Sequence, residues 1–100
     1  EKKTMNKKHQ KGFINHLKGI IWLTKKGYFV FNNISNMGCC DIVALNTKGE
    51  TLLMDIKSVT RRKDNSIINR VPTNQQNKMK VNLLMVDEIG NCKLVKYKKL

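Results

Sequence analysis

The chain has 100 residues, enough for one domain with a single modest core and too few for two. Its 20 basic and 7 acidic side chains leave a net charge of +13, spread from Lys2 to Lys99, so the folded surface is positive and favours polyanions, nucleic acid ahead of an anionic membrane. Three cysteines without C-x-x-C spacing argue against a disulfide framework or structural zinc, and no apolar run approaches a membrane span, so an intracellular protein with no membrane partner is expected.

Residues 1–10 (EKKTMNKKHQ) are polar and charged, and a flexible basic segment is expected there, ahead of a folded domain over 11–100. From Lys11 to Lys26 the apolar positions Phe13, Leu17, Ile20, Ile21 and Leu23 recur at three- and four-residue steps, which predicts an amphipathic helix with that stripe buried. Ile14 and Trp22 fall off the stripe, on a patch that suits a dimer interface or ordinary packing equally. Gly27 ends the helix, and YFVF at 28–31 is the first strand, followed by an Asn- and Ser-rich loop. Strands over 41–46 and 51–59 flank Thr47-Lys48-Gly49, a three-residue hairpin loop with Gly49 at its left-handed position. That loop pairs Asn46 with Glu50, Leu45 with Thr51, Val43 with Leu53, and Asp41 with Asp55. Both faces of these strands are largely apolar, which predicts a sheet covered on both sides. TRRKDNS at 60–66 reads as a basic loop and SIINRV as a short edge strand before Pro72. Thr73 and Gln76 fit a capping box for a helix over about 74–80, and residues 81–87 and 92–97 form a last hairpin turning at Gly90.

The chemistry concentrates at 41, 55 and 57. Directly opposed residues on antiparallel strands have Cβ atoms about 4.5–5.5 Å apart, and like charges placed there destabilise the pair. Two such carboxylates can share a proton, point into water, or jointly hold a hard cation that prefers oxygen ligands; only the last needs both as aspartates. Lys57 projects from the same face as Asp55, about 6–7 Å further along the strand. A divalent ion on two carboxylates with an ammonium beside it is suited to phosphodiester hydrolysis, and a +13 surface brings the polyanionic substrate. The plainer alternative is a surface ion-pair cluster in an ordinary sheet.

In that order of helix, strand, hairpin bearing Asp41 and then Asp55-Ile56-Lys57, helix and strand, the chain resembles the PD-(D/E)XK nuclease superfamily over residues 11–97, and within it the small archaeal-type Holliday junction resolvases and related phage nucleases. The resemblance implies an α/β domain with a restriction-endonuclease-like αβββαβ core, a mixed central sheet flanked by helices, Mg²⁺ or Mn²⁺ as cofactor, and DNA cleavage, often by a homodimer. It implies Asp41 and Asp55 as metal ligands, the backbone carbonyl of Ile56 as a further ligand, and Lys57 as the catalytic lysine. Family members often carry a glutamate on the first helix; counting back from Gly27 reaches His16, which suits manganese or later transition metals better than magnesium if it ligates, and is otherwise a residue on the boundary of the helix's polar side. Some branches support the site with a glutamine near Gln75 and Gln76, although Gln76 is already accounted for as a cap. Arg61, Arg62, Lys63 and Arg70 follow the catalytic strand and form either phosphate contacts or a solvated basic loop. The expected function is a metal-dependent DNA endonuclease, selective for branched DNA because so small a chain has no separate sequence-reading module. The alternatives are a phage, restriction-like or homing nuclease on ordinary duplex DNA, and a catalytically silent nucleic-acid-binding module.

Overall fold

A computed structural model describes residues 6–35 and 37–99. The first helix, α1 (Lys7–Lys25), starts before the expected position because Asn6 caps it, its side chain accepting the Lys8 N–H at 2.8 Å. Residues 7–10 are therefore helical; the rest of the expected basic segment, 1–5, lies outside the described residues. The helix closes at Gly27, which adopts φ +92° while the Tyr28 N–H returns to the Leu23 carbonyl. Five strands follow in one sheet: β1 (Phe29–Asn32), β2 (Ile42–Leu45), β3 (Thr51–Ser58), β4 (Val81–Val86) and β5 (Cys92–Val95), in spatial order β1-β2-β3-β4-β5. Only β3 and β4 run parallel, and the short helix α2 (Asn74–Met79) lies in their crossover. The fold is thus a single α/β domain with a mixed sheet and a helix on each side, as expected.

The β2–β3 register is the expected one, with Val43 opposite Leu53 and Leu45 opposite Thr51, and Gly49 takes φ +85° in the turn. The segment 66–71 is not an edge strand: only Ile67 makes a bridge, to Arg61.

The face that α1 buries differs from the expected stripe. Asn15, Gly19 and Leu23 are buried, with Ile20 and Trp22 packed beside them, whereas Phe13, Ile14, Leu17 and Ile21 are exposed. Close approach decides this. A Cβ at Gly19 would come within 3.0 Å of Ile56 Cδ1 and 3.3 Å of Leu84 Cδ2, so the helix lies on the sheet along its smallest residue and its larger apolar side chains face outward. Beneath it Ile42, Ala44, Met54 and Leu84 form the main core. The opposite face is only partly covered, contrary to the expectation of two covered sides. A smaller cluster of Val59, Leu83 and Met85 packs there, while Phe29 and Phe31 of β1 remain exposed because α2 is too short to reach them.

Candidate active site

Asp41 immediately precedes β2, Asp55 and Lys57 lie on β3, and these last two share the sheet face that carries α2. They sit toward the carboxyl end of the parallel pair β3/β4, where open α/β sheets bind ligands. Each aspartate holds the other's strand. The Asp41 N–H donates to Asp55 Oδ1 at 3.0 Å and to the Met54 carbonyl at 3.0 Å, while Asp41 Oδ2 accepts the Ile56 N–H at 2.9 Å. The ladder itself ends at Ile42 opposite Met54, so the two aspartates are not the directly opposed ladder pair expected but meet just beyond it in a reciprocal lock, which also places the Ile56 peptide at the acidic groups.

Gln76 completes it. Its Nε2 donates to Asp55 Oδ2 at 2.6 Å, its Oε1 accepts the Thr73 N–H at 2.9 Å, and its own N–H donates to Thr73 Oγ1. The cap and the support to the site, set against each other in the sequence, are one side chain doing both. Gln75 lines the small cleft beside Gln76 and Cys39.

Burial, foremost, and the neighbouring Asp41 charge push the Asp55 carboxyl above its ordinary value of 3.8; Lys57, Gln76 and the Asp41 N–H pull it down. Among the described residues the one ion pair is Arg61–Glu88, so Lys57 acts on the carboxylates through the field without closing a salt bridge. The donor set is carboxylate and carbonyl oxygen, which suits a hard divalent cation, and magnesium commonly binds through one or two carboxylates while keeping its waters. The residual repulsion at Asp55 is what such a cation would relieve.

His16 reaches the same end of the sheet but bonds Asn32 of β1, Nε2 to Oδ1 at 2.7 Å. Among the described residues no three His, Cys, Asp or Glu side chains gather into a metal-holding cluster, so His16 does not join the two aspartates in one. Its buried neighbour Asn15 instead points at β3 and donates to Ser58 Oγ at 2.7 Å, next to Lys57. The sequence pattern did not mark Asn15, because a polar residue within an apolar stripe carries no periodic signal. Asn33 was likewise missed: its N–H bonds the Asp41 carbonyl and its side chain the Cys40 carbonyl, which anchors the loop leading into Asp41. Of the basic residues after β3, Arg62, Lys63 and Arg70 are exposed, and Arg61 is engaged with Glu88.

No protein-family model matches the chain, and no curated protein matches it. Among solved structures, the fold is similar to that of a bacterial homing endonuclease, I-Ssp6803I, with a TM-score of 0.72 and 18% identity over 93% of this chain and 67% of that one.

Proposed function

We propose that the protein is a metal-dependent DNA endonuclease of the PD-(D/E)XK type, with Asp41 and Asp55 holding Mg²⁺ or Mn²⁺ together with the Ile56 carbonyl, and Lys57 as the catalytic lysine. The observation that carries this reading is the reciprocal lock of two carboxylates at the carboxyl end of β3/β4 with Lys57 on the same face. A divalent ion held by Asp41, Asp55 and the Ile56 carbonyl would supply Lewis-acid chemistry toward the phosphodiester. Asp41 and Asp55 would hold that ion, and Gln76 holds Asp55 in place for it. The Lys57 ammonium offsets the charge that develops on the phosphate and orients the attacking water. Arg62, Lys63 and Arg70 take flanking phosphates, and the +13 surface draws the duplex in.

Two substrates compete. Branched DNA follows from the resolvase resemblance, whereas the fold likeness to a homing endonuclease favours ordinary duplex, which we take as the substrate. A homodimer, one site for each strand, belongs to it; sedimentation velocity with and without DNA tests that part.

Labelled linear duplex, four-way junction and single strands incubated with the protein in Mg²⁺, Mn²⁺ or EDTA separate the possibilities. Cleavage of duplex is expected with either ion and none with EDTA. Asp55→Asn is expected to lower cleavage at least about a hundredfold, the equivalent of about 3 kcal/mol of transition-state stabilisation, with DNA binding retained. Binding without cleavage under every condition would leave the silent module, and cleavage confined to the junction would restore the branched substrate.

A further inference from the structure

The segment between β3 and α2 is a built structure. The Arg62 N–H donates to the Ser66 carbonyl at 2.8 Å, the Asn65 N–H to the Arg62 carbonyl at 2.9 Å, and the Ile68 N–H to the Thr60 carbonyl at 2.8 Å. Asn65 takes φ +71° at the tip and Asp64 accepts both the N–H and the hydroxyl of Ser66. Residues 60–68 therefore form a small hairpin arm continuing directly from the strand that bears Asp55 and Lys57.

The arm is clamped at its base. Arg61 Nε and Nη2 meet the two Glu88 oxygens at 2.7 and 3.1 Å, a bidentate pair, and Arg61 Nη1 donates to the Asn65 carbonyl at 3.2 Å. Glu88 belongs to the turn between β4 and β5, and its own carbonyl accepts Lys18 Nζ of α1 at 3.2 Å. The arm, that turn and the helix are thus tied at one point. Arg61 is four residues beyond Lys57, no more than about 14 Å of chain, or about four base-pair steps of duplex. An exposed acid here opposes any polyanion, so attraction of substrate does not account for Glu88; holding the arm does.

We propose that residues 60–68 are a DNA-backbone arm whose reach from the acidic pair is fixed by the Arg61–Glu88 clasp, with Arg62 and Lys63 as its phosphate contacts and Arg61 and Glu88 as positioning residues. This rests on the endonuclease reading only in taking DNA as the polyanion. The test is fluorescence anisotropy of a labelled linear duplex against salt, in the Asp55→Asn background, so that no cleavage is required. Replacing Arg62 and Lys63 by Ala is expected to flatten the slope of log affinity against log salt by about 1.8, two phosphate contacts. Glu88→Gln removes one negative charge yet is expected to weaken binding severalfold; the exchanged pair Arg61→Glu with Glu88→Arg, which leaves the net charge unchanged, is expected to restore it. Tighter binding by Glu88→Gln, or an unchanged slope without Arg62 and Lys63, overturns the arm while leaving the nuclease reading intact. Absence of duplex binding by the parent protein overturns both. Thermal melts of each variant separate loss of the arm from loss of the fold.

Discussion

Asp55 sits where burial and a neighbouring carboxylate both disfavour its charged form. Burial and Asp41 raise its carboxyl, so proton linkage favours the folded state below the ordinary carboxyl value of 3.8 and this advantage is lost as pH rises through the raised value. At neutral pH and without a cation the pair is a destabilising feature. Asp41→Asn keeps an acceptor for the Ile56 N–H while removing one of the two charges. We expect it to raise the melting temperature of the metal-free protein by a few degrees, about 0.5–1 kcal/mol in a domain of this size, and to abolish any stabilisation by Mn²⁺; differential scanning fluorimetry with and without Mn²⁺ reads both. A lower melting temperature would mean that the two carboxylates do not repel. That these two aspartates come together was legible in the sequence, because a three-residue loop with Gly49 fixes the register as far as Ile42 and Met54; that they lock each other's backbone beyond the end of the ladder was not. Gln76 was only half legible: its bond to its cap is local, whereas its bond to Asp55 spans the crossover.

At the scale of elements, the five strands and their turns followed from apolar and β-branched runs bounded by turn residues, whereas the edge strand expected at 66–71 does not form and the buried face of α1 did not follow. Hydrophobic periodicity weighs side chains by size, and here the helix is seated by Asn15 and Gly19, which such a pattern ignores. The consequence is measurable. Leu17→Gln, on the outward stripe, is expected to change stability by no more than about 0.5 kcal/mol. Leu23→Ala, in the core, is expected to cost about 2–5 kcal/mol. Urea melts of the two variants compare them directly, and a large loss at Leu17 would place that stripe against another surface. The hairpin arm was illegible for a different reason: its clasp joins Arg61 to a residue in another turn, a contact that no local propensity encodes.

For the molecule as a whole, the sheet gathers its chemistry at one end. The Asp41 approach, the carboxyl ends of β3 and β4, the arm and the Glu88 turn all lie there. Glu88 titrates in the opposite sense to Asp55. The Arg61 guanidinium holds its carboxyl at about 2 against an ordinary 4.5, so the clasp contributes fully above pH 4.5 and is lost as pH falls through about 2. The Arg61 Nε–H resonance followed by NMR is therefore expected to persist down to pH 4.5 and to disappear only on further acidification; disappearance between pH 7 and 5 would show that the clasp does not hold in solution.

The reciprocal lock has one more consequence. Because Asp41 and Asp55 are each fastened to the other's backbone, a chain whose hairpin has slipped by a single residue turns its acidic side chains to opposite faces and forfeits both bonds, so the intact pair is a local readout of correct pairing along the whole hairpin.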